Sequence, residues 1–361
     1  MDKKYKLSFT SKQCVDSIKE RISGAKTSID IEIYYFINDE IGSEILNLLI
    51  QKAKEAVKIR LLFDHVGSYE FSKDNKILKE LKSYNIKVLF FNSVLPFAKN
   101  RKTFWFLRDH RRNIIIDDEY LFTGSVCIGC TTSNWKELGI FIKDTEIVAK
   151  ARNVFNETWN KVYHPTFNIG STLRKEIISL NDFNYITQSP LQFKRHIYRY
   201  YVKAIKASKN SVYLISPYFV PDRRIVRQLI RASKRHANVH IIIPKNTEIP
   251  VVDFARNTYI KQLLTHGVHI YFHSEMVHSK FSLFDNKEAF IGTLNLDNLS
   301  LRYNYECGII TLNKDCISEL NDHIFNDLIQ NSTKLTLSSW NNRSLLTKIV
   351  EKFVWLFRKL L

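Results

Sequence analysis

Two stretches of this chain repeat one spaced set of functional side chains. The first is His110-Arg111-Arg112-Asn113-Ile114-Ile115-Ile116-Asp117, and the second is His278-Ser279-Lys280-Phe281-Ser282-Leu283-Phe284-Asp285. Both follow H-x-(K/R)-x4-D. On extended backbone, residues two apart share a face, so each His and its basic neighbour point towards one pocket. Each motif is followed by a short strand pattern and a small-residue turn, Gly124-Ser125 and Gly292-Thr293. One copy alone would say little. Two copies at matching points require two copies of one domain plan rather than a solenoid.

The flanking patterns agree. In the first half, Ser28–Phe36 reads as a strand and Glu40–Glu55 as a helix. Val57–Phe63 (strand), Lys76–Tyr84 (helix) and Ile86–Phe91 (strand) follow, then short strands Asn113–Ile116 and Tyr120–Phe122 around a turn at Asp117-Asp118. The second half repeats the order: strand Ser211–Ser216, helix Arg224–Arg235, strand Val239–Ile243, helix Asn257–Leu264 and strand Val268–Phe272. Strands Phe281–Phe284 and Glu288–Ile291 close the series around Asp285-Asn286. Strands alternating with helices predict an α/β fold with a largely parallel sheet in each half. The boundary is expected near Phe167–Thr172, a loop-like stretch, giving domains over 1–170 and 171–342 and a tail over 343–361.

Length and charge set the class. A chain of 361 residues has room for two domains, and its 45% hydrophobic and 13% aromatic content argues against disorder. The net charge of +18 favours an anionic partner: nucleic acid, an acidic membrane surface or a phosphorylated substrate. Five Cys suit reduced thiols rather than a disulfide scaffold. No leader-like apolar stretch opens the sequence and no run of about 18 apolar residues occurs, so a soluble or peripheral protein is expected.

The tail, Ser344–Leu361, reads as an amphipathic helix. Leu346, Ile349, Val350, Phe353, Phe357 and Leu360 share one face; Lys348, Glu351, Lys352, Arg358 and Lys359 share the other, with Trp355 among the charges. Such a helix either lies at a lipid headgroup layer or docks on the core. Lys99–Arg112 mixes bases with Phe104, Trp105 and Phe106, as either a mouth loop in contact with headgroups or a packed loop. Arg195–Tyr201 reads as a helix entering the second domain. Cys127-x-x-Cys130 and the pair His269 and His273 are weak metal signals beside ordinary packing, and no metal or cofactor is expected.

The paired motifs resemble the HKD signature of the phospholipase D superfamily. Within it, SPYFVPD at Ser216–Asp222, GTLNLDNLSLRYNYE at Gly292–Glu306 and LLFDHVGS at Leu61–Ser68 resemble bacterial cardiolipin synthases of the short, peripheral type. The resemblance implies two similar α/β/α domains related by a pseudo-two-fold axis, with the active site at their interface. It implies that one of His110 and His278 attacks phosphorus to form a phosphohistidine, while the other protonates the leaving alkoxide. Arg112 and Lys280 are the expected phosphate cations, and Glu137 and Glu306 the carboxylates that orient the imidazoles. Ser125, Thr293 and Asn295 are expected at the phosphate, and Asp117 and Asp285 as braces of each motif's turn. Two departures fall in the first half: Arg112 stands where Lys is usual, and Cys127 where Asn is usual.

The implied activity is phosphatidyl transfer at an anionic phospholipid membrane, with phosphatidylglycerol as donor and acceptor and a place at the cytoplasmic membrane. The alternatives are hydrolysis of phospholipid, hydrolysis of nucleic acid, and a membrane-binding protein with a decayed site. Nucleic acid is less favoured, because a nuclease has no use for an apolar-faced tail.

Overall fold

The first of the two chain halves lays down its strands and helices as β1 (Tyr5–Thr10), α1 (Ser11–Ser23), β2 (Ser28–Ile33), α2 (Glu40–Lys54), β3 (Lys58–Asp64), α3 (Tyr69–Lys73), α4 (Asn75–Ser83), β4 (Lys87–Phe91), β5 (Asn113–Ile116), β6 (Tyr120–Gly124), β7 (Lys136–Lys143) and α5 (Thr145–Tyr163). The second half continues as β8 (Phe183–Gln188), α6 (His196–Ala207), β9 (Ser211–Ile215), β10 (Phe219–Val220), α7 (Arg223–Lys234), β11 (Asn238–Pro244), α8 (Pro250–Thr265), β12 (His269–His273), β13 (Phe281–Phe284) and β14 (Glu288–Gly292). It ends with β15 (Leu296–Asp297), α9 (Asn298–Arg302), β16 (Glu306–Thr311), α10 (Lys314–His323), β17 (Ser332–Lys334), α11 (Leu337–Asn341) and α12 (Leu345–Leu356). The structure, a computed structural model, describes residues 3–93, 106–163, 181–190 and 195–356. The expected boundary at 167–172, the aromatic pair Phe104 and Trp105, and the last five residues of the tail lie outside the described residues.

The helices follow from local chemistry. The carboxylate of Asp222 accepts the N–H groups of Arg224 and Ile225, capping α7, whose Ile225, Val226 and Leu229 then face inward. Asp39 caps α2 in the same way through the Gly42 N–H. Helix α8 begins at Pro250, seven residues before the patterned start at Asn257, because a proline ring is already set for a first helical turn.

Both sheets carry the same order. The first runs β1-β7-β6-β5-β2-β3-β4, and the second β8-β16-β14-β13-β9-β11-β12-β17. The expectation of largely parallel sheets is corrected here. Only β2–β3–β4 and β9–β11–β12 pair in parallel; every other pairing within the two sheets is antiparallel. The cause lies after each motif. Asp117, Asp118, Asp285 and Asn286 all have φ between 52° and 55°, the left-handed geometry of a tight hairpin, so β5–β6 and β13–β14 reverse direction.

Two hydrophobic clusters line the outer, helix-covered faces of the sheets. A third lies between the sheets and joins Leu62, Ile115 and Ile140 of the first half to Ile215, Phe281 and Ile309 of the second. Burial of that shared apolar surface holds the halves face to face. Helix α12 packs on α8 through Glu351 and Val354, the former bonded to Asn257 and Arg343. The tail's charged Glu351 therefore faces the protein, opposite to the expected arrangement, while Leu345, Leu346 and Ile349 face outward. Among the described residues, no helix is long and apolar enough to cross a membrane.

Candidate active site

Each motif enters the site on an extended segment stitched to the other half. Asp109 pairs with Tyr305 and the His110 N–H donates to the Tyr305 carbonyl (3.0 Å). In the mirror arrangement, Val277 pairs with Lys136 and the His278 N–H donates to the Lys136 carbonyl (2.8 Å). Tyr305 directly precedes Glu306, and Lys136 directly precedes Glu137. The pairing therefore decides which carboxylate meets which imidazole. Nδ1 of His110 lies 3.0 Å from Glu306, and Nδ1 of His278 lies 2.8 Å from Glu137. Each histidine is held by the glutamate of the opposite half, which spacing within one half gives no means to foresee.

A further layer fixes the carboxylates. The Ser125 hydroxyl donates to Glu137 and accepts the Leu138 N–H. The Thr293 hydroxyl donates to Glu306 and accepts the Cys307 N–H. Both hydroxyls, expected at the phosphate, are thus engaged behind the histidines and lie outside the pocket wall. Gly124 and Gly292 make this layer geometrically accessible: a Cβ would come within 2.3 Å of the Leu138 carbonyl oxygen and 2.4 Å of that of Cys307.

The cations stand beside the imidazoles. Arg112 donates to the carbonyls of Val126 (2.8 Å) and His110 (2.9 Å), and its Nη2 lies 3.4 Å from His110 Nε2 and 3.5 Å from Cys127 Sγ. Lys280 Nζ donates to the His278 carbonyl (2.6 Å). Asn295 lines the pocket with its buried Oδ1 unpartnered. Asp117 and Asp285 stay away from it. Asp117 accepts the N–H groups of Lys26, Thr27 and Ser28, and Asp285 those of Lys209, Asn210 and Ser211.

Burial, reinforced by the charges of Arg112 and Lys280, holds both imidazoles well below their ordinary range. Burial also drives Glu137 up to about 7 and Glu306 well above a normal carboxylate, and lowers Lys280 to about 7. These surroundings favour neutral histidines. A negative charge brought beside them would raise an imidazole towards protonation.

The pocket between the halves has a volume of about 720 Å³. Its wall includes residues that motif reading passed over: Tyr34, Tyr35, Trp135, Tyr218 and Glu248. The Tyr34 ring meets His110 edge-on at 4.9 Å, and Trp135 lies 4.6 Å from His278. A signal was present in the repeat: Tyr-Phe follows the equivalent strands β2 and β9, at 35–36 and 218–219. Cys127, Glu137 and His278 also bring possible metal ligands within 4.8 Å of one another, but the Arg112 guanidinium beside the sulfur opposes a cation there. Cys127 is buried and Cys130 exposed, and both are free thiols.

Comparison with known proteins gives the family. The family model described as "Cardiolipin synthase, PLD-like domain" matches residues 18–159 and 201–328. A cardiolipin synthase of Geobacillus sp. (strain WCH70) is 30% identical over 96% of this chain and 70% of its own length. Cardiolipin synthase 1 of Staphylococcus aureus (strain COL) is 30% identical over 96% of this chain and 71% of its own. The crystal structure of phosphatidylserine synthase from Haemophilus influenzae Rd KW20 shares the fold, with a TM-score of 0.76, 12% identity and coverage of 99% of this chain and 95% of that one.

Proposed function

This chain belongs to the phospholipase D superfamily as a cardiolipin synthase-like phosphatidyltransferase, and from that premise we propose that it converts two phosphatidylglycerol molecules into cardiolipin and glycerol through a phosphohistidine. The observation that carries this reading is the meeting of two glutamate-held histidines at one pocket, with Arg112 in its wall and Lys280 buried against the His278 backbone.

In the proposed reaction, His110 Nε2 attacks the donor phosphorus. The approach of an Arg112 N–H to that nitrogen supports it as the lone-pair position, leaving Nδ1–H to donate to Glu306. The P–O bond to the headgroup glycerol breaks, and His278 as imidazolium delivers its proton to the departing oxygen. Neutral His278 then takes the hydroxyl proton of a second phosphatidylglycerol. That oxygen attacks the phosphohistidine and frees His110. Arg112 and Lys280 offset the charge on the phosphoryl oxygens throughout. The two histidines titrate as a coupled pair, since turnover needs one neutral and one charged. The protein is proposed to work at the surface of an anionic membrane, at its cytoplasmic face, with α12 in contact.

Purified protein incubated with phosphatidylglycerol, with products read by mass spectrometry, tests the proposal. Cardiolipin and glycerol in equal amounts are expected. Phosphatidic acid as the main product would replace transfer by hydrolysis, and cleavage only of an added oligonucleotide would overturn the lipid reading.

A further inference from the structure

A second cavity, of about 340 Å³, lies on the far side of α8 at its junction with α11 and α12. Its wall includes Lys245, Asp253, Arg256, Asn257, Trp340 and Arg343. We propose that this cavity binds the phosphate of an anionic phospholipid headgroup and so seats α12 on the membrane. The inference rests on the reading that the protein works on such lipids, but it concerns a site apart from the catalytic histidines.

Three observations carry it. First, buried polar atoms in the wall have no hydrogen-bond partner among the described residues: the donors are Nε of Arg256 and the indole N–H of Trp340, in residues 2% and 4% exposed, and the acceptors are Oδ1 of Asp253 and of Asn257. Unpaired donors at that depth are rare and call for a ligand acceptor. Second, the wall is cationic. Asp253 offsets Arg256 at 3.1 Å, and Glu351 offsets Arg343, which leaves Lys245, exposed in the wall, with no carboxylate partner among the described residues. Third, α12 projects from the same junction with Leu345, Leu346 and Ile349 turned outward, at 77%, 76% and 63% exposure. Apolar insertion next to a basic site is how a peripheral helix holds an anionic bilayer.

The test compares two charge reversals in the full chain. Lys245→Glu alters the cavity rim, and Lys79→Glu alters an exposed position on α4 of the other half. Co-sedimentation is measured with mixed phosphatidylglycerol–phosphatidylcholine vesicles and with phosphatidylcholine alone. The expected result is a loss of about tenfold or more in partition for Lys245→Glu and less than about twofold for Lys79→Glu, with weak binding of all proteins to phosphatidylcholine. Equal losses in the two variants would reduce the effect to overall charge and overturn the proposal, as would failure of the wild type to bind. If Lys245→Glu melts low, Asn246→Glu brings the same charge to an exposed position in the same wall. Turnover of detergent-dispersed phosphatidylglycerol by the wild type is read separately. Absence of product there counts against the catalytic reading and leaves the vesicle comparison intact.

Discussion

Lys280 shows how single residues in this protein trade stability for charge. Its ammonium is buried, and burial first, then Arg112, lowers it to about 7 from an ordinary 10.5. Between those values the unfolded chain binds the proton that the folded chain has released. The contribution of Lys280 to stability is therefore least favourable below about pH 7 and improves as pH rises towards 10.5. Lys280→Met should melt above the wild type at pH 7, with the gap narrowing towards pH 10, and should lose turnover at every pH. A variant that melts below the wild type at neutral pH would contradict this. At this scale the sequence was informative for side chains tied to a spacing. His110, His278 and both cations stood out because the motif occurs twice. Ser125 and Thr293 were located, but their bonds to Glu137 and Glu306 were not foreseen. A hydroxyl beside a motif does not announce whether it faces substrate or the group behind it. Tyr34 and Trp135 carry no motif and reach the pocket only because the backbone turns there.

At the scale of elements, the approach of β14 to β16 sets the position of Glu306. Gly292→Ala places a methyl group within 2.4 Å of the Cys307 carbonyl oxygen, so these strands must separate. The expected cost is about 1–3 kcal/mol of stability, as for other overpacked sites, together with reduced turnover as Glu306 moves from His110. Denaturant unfolding and the transfer assay measure the two effects, and an unchanged midpoint would show that the strands yield freely. The outer face of α12 makes a separate prediction. Deleting residues 345–361 should lower co-sedimentation with phosphatidylglycerol vesicles, whereas unchanged binding would make α12 a packing element only. Strands with strong β-branched patterns, such as β3 and β11, were legible. The antiparallel half of each sheet was not, because periodicity reports which face is buried and not which way a neighbour runs. Helix α12 was legible as amphipathic, but its inward side is set by tertiary partners, with Glu351 bonded to Arg343 and Asn257 and Val354 packed in the core.

For the whole molecule, duplication explains the layout. Two sheets of the same strand order close on a shared core, and each contributes one histidine and the glutamate for the other's histidine. Neither half contains a complete site. The sequence showed that two copies exist; their crossed pairing needed the backbone bridges at Asp109–Tyr305 and Val277–Lys136. The halves also differ beside the histidines, with Arg112 and Cys127 in one and Lys280 and Asn295 in the other.

The most direct test of the account is the turnover of His110→Ala and His278→Ala, assayed on detergent-dispersed phosphatidylglycerol beside melting curves of both variants. Loss of at least about 10²–10⁴-fold in each, with melting points near that of the wild type, is the expected result. Near-normal cardiolipin formation by either folded variant would contradict the claim that the two imidazoles serve one phosphorus atom.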